Sequence, residues 1–230
     1  MKKIGILGGM SWESTSLYYR WLNEGVKERL GGLHSARIVL CSLDFAEVAT
    51  LQKQEAWAKA GDILAAEASA LESAGADMVI LATNTMHIVA DKISAAIKIP
   101  FIHLADATAD QIVAAEIKTV GLLGTKFTME KDFYKGRIES RGIKVIVPDE
   151  SDRQLVHDVI YNELCKGQIN PASKVAFQKI INNMAATQGA QGIILGCTEI
   201  TMLIGAQDTT IPQFDTTRIH VQKALDLALA

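Results

Sequence analysis

Short runs of apolar residues alternate with longer amphipathic stretches along the whole chain. The runs are continuous rather than alternating apolar and polar, which is typical of parallel strands buried on both faces. Alternation of such strands with helices predicts an α/β fold with parallel sheets. The predicted strands are Ile4–Leu7, Ile38–Leu43, Met78–Ala82, Val120–Leu123, Val145–Val147 and Ile193–Leu195.

The amphipathic stretches carry helix end signals. The clearest start is Asn170-Pro171, an N-cap residue followed by proline, and the clearest end is Gly189. Besides this helix, the pattern predicts helices after Thr85 and after Asp106, and over Lys53–Ala74, Thr128–Gly142, Ser151–Gly167 and Thr217–Ala230.

The chain repeats its own pattern once. Gly75 leads through an apolar run to Thr83, and Gly189 leads through a similar run to Cys197, with both pairs 114 positions apart. Further echoes in the same order pair Lys3–Gly8 with Thr119–Gly124, Tyr19 with Tyr134, and Pro100 with Pro212. Four echoes at a nearly constant offset predict two similar halves, each of ordinary domain size.

The two Ile-Pro segments, Ile99-Pro100 and Ile211-Pro212, are expected to be crossovers, because no Ser/Gly-rich linker separates the halves. On this symmetry, residues 1–98 together with 210–230 form the first domain, and residues 99–209 form the second. The helix after Asp106 then packs with the second half, and the C-terminal helix returns to the first.

Composition excludes several classes of protein. The chain has 230 residues and a net charge of −3, which gives no electrostatic case for binding nucleic acid. No apolar stretch reaches the length of a membrane span or a signal-peptide core. The three cysteines are scattered and odd in number, so we expect a reducing cytoplasm rather than a disulfide framework.

Four loops with hydrogen-bonding residues follow predicted strands: Gly8–Ser11, Thr83–Thr85, Gly124-Thr125 and Cys197–Glu199. In open parallel sheets, ligands bind outside the carboxyl ends of strands. If the two halves face each other, the four loops meet, and the predicted active site lies in a cleft between the domains.

The Gly5–Gly9 segment has three interpretations. Its spacing departs from the G-x-G-x-x-G fingerprint, which argues against a dinucleotide site. It is either a tight turn or, as we favour, an anion cradle at a helix N-terminus, to which Ser11, Ser14 and Thr15 add hydroxyl groups.

Cys197 is the strongest candidate for chemistry. Free cysteines are often buried and inert, and we expect this of Cys41 and Cys165. Cys197 instead ends an apolar strand and opens a helix, a position that lowers the pKa of a thiol. We therefore expect a functional thiol.

Other polar residues each have a structural alternative. Thr83-Asn84-Thr85 either caps a helix or clamps a carboxylate. His87 is either a structural histidine or a supporting residue of the site. Lys166 either complements a helix C-terminus or supplies a cation at the mouth of the cleft, and Gln52 occupies a comparable rim position.

The motifs Ile6–Ser11, Thr83–His87 and Gly196–Glu199 resemble those of the aspartate/glutamate racemase superfamily. The resemblance covers essentially the whole chain and is most specific for the bacterial amino-acid racemase branch. It implies two Rossmann-like domains related by pseudo-two-fold symmetry, an acidic amino acid such as aspartate or glutamate as substrate, no cofactor and a homodimer.

By this resemblance, two cysteines face opposite sides of the substrate α-carbon, one removing the proton and the other returning one. The second cysteine falls on Cys197, whereas the first falls on Thr83. Glu199 stands where glutamate racemases carry a histidine, and would bind the substrate ammonium or assist proton transfer. The other implied substrate-binding residues are Met10, Gln52, Asn84, Thr85, Thr125, Lys166 and Thr198.

The threonine leaves three functions open. A hydroxyl is a poor acid and base unless a neighbour activates it, so a racemase with Cys197 and Thr83 should treat the two enantiomers unequally. A one-cysteine isomerase or decarboxylase of the same superfamily, acting on a dicarboxylate, is the first alternative. A non-catalytic amino-acid-binding protein is the second.

Overall fold

The computed structural model describes residues 1–230, which form two compact units. One unit comprises Met1–Leu104 and His220–Ala230, and the other comprises Ala105–Ile219. Each contains one four-stranded sheet in which all neighbouring strands are parallel. The predicted α/β fold with two parallel sheets is therefore confirmed.

The sheet of the first unit has the strand order β2-β1-β3-β4. Its strands are β1 (Ile4–Gly8), β2 (Ile38–Ser42), β3 (Met78–Leu81) and β4 (Phe101–Ile102). Its helices are α1 (Trp12–Leu30), α2 (Phe45–Lys53), α3 (Trp57–Ser73) and α4 (Ala90–Ala96), with a 3-10 helix at Thr85–Val89 before α4.

The second sheet has the order β6-β5-β7-β8, which repeats the topology of the first. Its strands are β5 (Thr119–Gly124), β6 (Lys144–Ile146), β7 (Gly192–Gly196) and β8 (Gln213–Asp215). The helices from the crossover onward are α5 (Leu104–Ala114), α6 (Lys126–Glu130), α7 (Asp132–Glu139), α8 (Glu150–Asn162), α9 (Pro171–Gln188), α10 (Ile200–Leu203) and α11 (Thr216–Leu229), with 3-10 helices at Leu164–Lys166 and Ala206–Asp208.

The apolar runs form the central strands because both faces of each sheet are covered. Every residue of β1, β3 and β7 is buried. In the first unit, Leu7 and Leu81 pack with α2, α3 and α4, whereas Ile6 and Ile80 pack on the other face with α1 and α11. None of the helices combines the length and the hydropathy that crossing a membrane requires.

The strands β4 and β8 were not predicted, because β4 has only two residues and β8 has only one apolar residue among three. Each follows an Ile-Pro segment and pairs with the strand before that segment, β4 with β3 and β8 with β7. The chain therefore completes the sheet of each unit before it passes to the other unit. The units divide after Leu104 and after Ile219, whereas the repeat in the sequence predicted boundaries at residues 98–99 and 209–210.

Three long predicted helices are interrupted. The stretch Lys53–Ala74 divides because Glu55 has a positive φ of 49°, and Thr128–Gly142 divides at Lys131, which is extended. The helix predicted over Ser151–Gly167 ends at Asn162 and continues as a 3-10 helix. The predicted Asn170 cap is confirmed, since its side chain accepts a hydrogen bond from the Ala172 N–H at 3.0 Å.

A buried tyrosine holds a crossover helix in each unit. Tyr18 of α1 donates its hydroxyl to Nδ1 of His220 in α11 at 2.9 Å, and Nε2 of His220 donates to the Ile102 carbonyl at 2.7 Å. Tyr134 of α7 contacts the hydroxyl of Thr108 in α5 at 3.5 Å. Because Tyr18 is buried and Tyr19 is 54% exposed, Tyr18 rather than Tyr19 is the counterpart of Tyr134.

We expect His220→Gln to remove part of the acid sensitivity of the fold. Burial lowers the pKa of His220 from 6.5 to about 4, so between these values the unfolded chain binds a proton that the native fold does not. The unfolding free energy should therefore fall by about 3 kcal/mol through this residue as pH drops from 6.5 to 4. Urea denaturation of both proteins across this range measures the effect, and identical pH dependences would contradict it.

Candidate active site

The strand order of each sheet marks one place for a ligand. The order reverses between β1 and β3 and between β5 and β7, and ligands of open α/β sheets bind at such switch points. Leu7 pairs with Leu81, so the loop after Gly8 begins beside Ala82. Gly124 pairs with Gly196, so Thr125 follows β5 beside Cys197. Each unit thus brings together two of the four predicted loops.

Glycines allow the close packing of these loops. Gly9 has a φ of +86°, and a Cβ there would lie 2.2 Å from the Leu43 carbonyl oxygen. A Cβ on Gly196 would lie 2.8 Å from the carbonyl oxygen of Leu123 on the neighbouring strand. A side chain at either position would displace backbone rather than another side chain, so both switch points depend on glycine.

The hydroxyl groups after β1 hold the turn together. Thr15 Oγ1 accepts from the Gly9 N–H and donates to the Ser11 carbonyl, both at 2.8 Å. Ser11 Oγ accepts from the Ser14 N–H at 3.2 Å, and Ser14 Oγ donates to the Ala82 carbonyl at 3.1 Å. These bonds favour the tight-turn interpretation over the anion cradle for the three hydroxyls. Met10 is buried in this loop.

The loop after β3 places Thr83 partly exposed and Asn84 and Thr85 buried, at the start of the 3-10 helix Thr85–Val89. Asn84 occupies the N-cap position, but its side chain makes no capping hydrogen bond. Helix capping therefore does not account for Asn84. His87 is buried within the same 3-10 helix.

Gln52 and Lys166, which were predicted as substrate-binding residues at the rim of the cleft, lie in different environments. Gln52 is buried at the end of α2, where Nε2 donates to the Met86 sulfur at 3.1 Å, so it does not lie on an exposed rim. Lys166 is exposed at the end of the 3-10 helix Leu164–Lys166. Gly167 follows in the left-handed conformation, with φ 70°.

The predicted threonines of the second unit are each held by another threonine. Thr125 is the N-cap of α6, where Oγ1 accepts from the Thr128 N–H at 3.3 Å and lies 3.2 Å from the Thr128 hydroxyl. Thr198 is buried, with Oγ1 3.0 Å from the Thr217 hydroxyl. These contacts fix two hydroxyl groups near the strand end that carries Cys197, because Thr125 follows the neighbouring strand and Thr198 is the next residue in the chain.

Cys197 and Glu199 form a hydrogen-bonded pair. The Cys197 thiol donates to Oε2 of Glu199 at 2.9 Å, and the glutamate is buried. Burial raises the pKa of Cys197 well above 9.0, and the charges of Glu199 and Cys165 and the thiol–carboxylate bond raise it further. The predicted lowering of this pKa is therefore wrong: α10 has only four residues, and an acidic side chain lies beside the sulfur.

The chain contains a second thiol–carboxylate pair. Cys41 on β2 donates to Oε2 of Glu67 on α3, also at 2.9 Å. Burial, with this hydrogen bond and the glutamate charge, raises the pKa of Cys41 to about 12. Cys41 is therefore a protonated thiol at neutral pH, in agreement with the inert role expected for it.

Tyr161 of α8 lies close enough to Cys197 to interact with its charge, a neighbour that the sequence pattern did not predict. Burial, followed by the charges of Cys197, Cys165 and Glu199, raises the pKa of Tyr161. The Tyr161 ring lies 4.8 Å from the ring of His157, whose Nδ1 accepts the Lys126 N–H at 3.2 Å. The spacing of four between positions 157, 161 and 165 was the signal in the sequence that these side chains share one helix face.

No group of three or more His, Cys, Asp or Glu side chains could hold a metal ion.

Comparison with known proteins shows similarity to a racemase family over most of the chain. The Asp/Glu/Hydantoin racemase family matches residues 7–224. A Yersinia pestis structure provisionally assigned as an Asp/Glu racemase is 52% identical, with 100% of both chains covered and a TM-score of 0.95. The structure of an aspartate racemase homologue from Pyrococcus horikoshii OT3 is 35% identical, again with 100% of both chains covered and a TM-score of 0.89.

A relative known by sequence is the broad-specificity amino-acid racemase RacX of Bacillus subtilis. It is 25% identical over 162 residues, which cover 70% of this chain and 68% of RacX.

We expect Glu199→Gln to make Cys197 more reactive toward alkylation. Because the Glu199 charge and its hydrogen bond both raise the pKa of Cys197, their removal lowers that pKa and increases the thiolate fraction at a given pH. Iodoacetamide labelling from pH 7 to pH 10, followed by mass spectrometry of the Cys197 peptide, measures the shift.

Glu67→Gln is the matched control for this experiment. It removes the same kind of carboxylate from Cys41, so it should accelerate labelling of Cys41 and leave labelling of Cys197 unchanged. Slower or unchanged labelling of Cys197 in Glu199→Gln would show that the carboxylate does not hold the thiol in its protonated form.

Proposed function

Because the chain belongs to the Asp/Glu/Hydantoin racemase family, we propose that it interconverts the enantiomers of aspartate or glutamate by moving the α-proton without a cofactor. The observation that carries this proposal is the Cys197–Glu199 pair at the switch point of the second sheet. Thr83 occupies the equivalent strand end of the first sheet. The names of the related racemases support an acidic amino acid as substrate.

In this mechanism, Cys197 and Thr83 act on opposite faces of the substrate α-carbon. The thiol of Cys197 first passes its proton to Glu199, and the positive α-ammonium group of the substrate favours the thiolate. The thiolate then takes the α-proton, so that a Cα–H bond breaks and an S–H bond forms. Thr83 gives its hydroxyl proton to the other face, water restores that hydroxyl, and Glu199 releases its proton to the solvent.

We assign substrate binding to the polar groups around these two residues. Their shared property is a hydrogen-bonding group at or near the carboxyl end of a strand, which suits the α-carboxylate and α-ammonium groups. The residues for these groups are the Met10 backbone, Asn84, Thr85, Thr125 and Thr198. Gln52 and the exposed cation Lys166 serve the side-chain carboxylate, which requires the Gln52 amide to turn away from Met86.

The thiol and the hydroxyl make the two half-reactions unequal. Enantiomers have equal free energy, so kcat/KM for inversion must be the same in both directions. Exchange of the α-proton with solvent is free of this constraint, because it needs only one face. The enantiomer that presents its proton to Cys197 can lose and regain it there many times before Thr83 completes an inversion.

We also propose that the protein is a cytoplasmic homodimer. The three free cysteines, Cys41, Cys165 and Cys197, suit a reducing compartment. Sedimentation equilibrium tests the dimer directly, since the chain has a mass of 24.9 kDa and a dimer has twice that mass.

The first test follows loss of the α-proton by NMR, with each enantiomer of aspartate and glutamate incubated in D₂O. One enantiomer should exchange its proton faster than it inverts, whereas the other should exchange only as fast as it inverts. Cys197→Ala should abolish the fast exchange, because no base remains on that face.

Other outcomes of this test identify the alternatives. Equal ratios of exchange to inversion for the two enantiomers would contradict the thiol–hydroxyl pair. Absence of exchange with both aspartate and glutamate would overturn the racemase proposal and favour a dicarboxylate isomerase or decarboxylase, or a binding protein.

The second test replaces the hydroxyl. Thr83→Cys supplies a side chain of similar size with a better acid and base, so inversion should become about tenfold faster or more. Exchange of the disfavoured enantiomer should rise with it. Thr83→Ser is the matched control, because it keeps a hydroxyl at the same position. A Thr83→Cys protein that folds normally but gains nothing would show that Thr83 is not the second proton-transfer group.

A further inference from the structure

Three buried histidines lie together near the carboxyl edge of the first sheet. The ring of His87 is 4.5 Å from that of His103 and 5.9 Å from that of His220. All three side chains are less than a tenth exposed. The proton-transfer scheme uses none of them, yet one is bonded to the residue on which inversion depends.

His87 connects Thr83 to Leu104, the first residue of α5. Its Nδ1 lies 2.8 Å from the Thr83 carbonyl oxygen, and its Nε2 lies 3.2 Å from the backbone nitrogen of Leu104. A carbonyl can only accept and a backbone N–H can only donate, so Nδ1 carries the proton and Nε2 accepts. The neutral Nδ1–H tautomer is therefore fixed by its partners.

His220 provides a contrast within the same cluster. Its Nε2 donates to Ile102 and its Nδ1 accepts from Tyr18, so it is the opposite tautomer, and neither nitrogen bonds to the loop after β3. In the second unit, the position equivalent to His87 is Thr201, whose hydroxyl donates to the carbonyl of Thr198 rather than that of Cys197. A histidine support is thus specific to Thr83.

A threonine needs such support more than a cysteine does. Because its side chain is branched at Cβ, its χ1 rotation is restricted and the direction of the hydroxyl follows the backbone. A hydroxyl is also a weak proton donor, so its rate depends strongly on placement, and errors near 1 Å can cost about 100-fold.

We propose that His87 is a positioning residue for Thr83. Its imidazole holds the Thr83 carbonyl from one side and the first residue of α5, Leu104, from the other, which fixes the peptide plane that aims the Thr83 hydroxyl. The proposal rests on the proposed function, in which Thr83 returns the proton.

The test compares variants of His87 that keep different bonds. His87→Leu removes both hydrogen bonds. His87→Asn keeps a nitrogen at the same number of bonds from Cα as Nδ1, so it can still donate to Thr83. His87→Gln places an oxygen near the position of Nε2, so it can accept from Leu104 but no longer holds Thr83. His220→Leu is the matched control, with two buried hydrogen bonds lost from a neighbouring histidine.

The readout is the ratio of inversion to exchange, measured in D₂O with the enantiomer that Cys197 deprotonates. His87→Leu and His87→Gln should slow inversion about tenfold or more. Exchange at Cys197 should stay within about twofold. His87→Asn should restore most of the inversion. His220→Leu, or His220→Gln if the leucine variant does not fold, should leave the ratio unchanged.

Two measurements separate this proposal from the proposed function. Thr83→Ala should nearly abolish inversion, and His87→Leu should then have no further effect on it. Unchanged inversion in Thr83→Ala would overturn the role of Thr83 and that of His87 with it. If Thr83→Ala does stop inversion, equal slowing of exchange and inversion in His87→Leu would overturn the positioning role alone.

A spectroscopic test does not depend on turnover. A long-range ¹H–¹⁵N spectrum of the folded protein should show the His87 proton on Nδ1. Hydrogen exchange at the Leu104 amide should accelerate in His87→Leu and stay slow in His87→Gln. A proton on Nε2, or an equally protected Leu104 amide in all His87 variants, would overturn the proposal.

Discussion

The parallel pairing of two central strands in each unit determines where chemistry can occur. Pairing of β1 with β3 places the turn after Gly8 beside the loop of Thr83, and pairing of β5 with β7 places Thr125 beside Cys197. The apolar residues of these strands are buried on both faces, so only the strand ends are open to polar groups. The switch point of each sheet then selects one end as the place for a ligand.

The resting state of the thiol follows from its immediate neighbours. The Cys197 thiol donates a hydrogen bond to the buried carboxylate of Glu199, and the Cys41 thiol donates one to the half-buried carboxylate of Glu67. Burial is the largest cause of the raised pKa of both thiols, and the carboxylates raise it further. A protonated thiol is ready to give a proton, whereas taking one first requires Glu199 to accept. The proposed asymmetry between the two faces therefore lies in a thiol with a carboxylate as its proton acceptor on one side and a hydroxyl on a backbone positioned by His87 on the other.

The long-range pattern of the sequence predicted the fold class, because buried parallel strands and a repeat of about 115 positions leave clear signals. It did not predict β4, β8 or the division of the long helices, since these depend on two or three residues and on backbone angles such as that of Glu55. The sequence predicted that the site residues lie at strand ends, but it did not predict the pKa of the thiol among them. The pKa of Cys197 rises through burial first, and then through the charges of Glu199 and Cys165, and this environment forms only on folding.

The central claim is that Cys197 and Thr83 act on opposite faces of one α-carbon. The most direct measurement is a crystal structure of the inactive Cys197→Ala variant with each enantiomer of aspartate and of glutamate. For at least one of these amino acids, the account predicts Thr83 Oγ1 about 3 to 3.5 Å from the α-carbon on one face, with residue 197 against the other. Bound amino acids whose α-carbon contacts only one of these residues, or both from the same face, would contradict it.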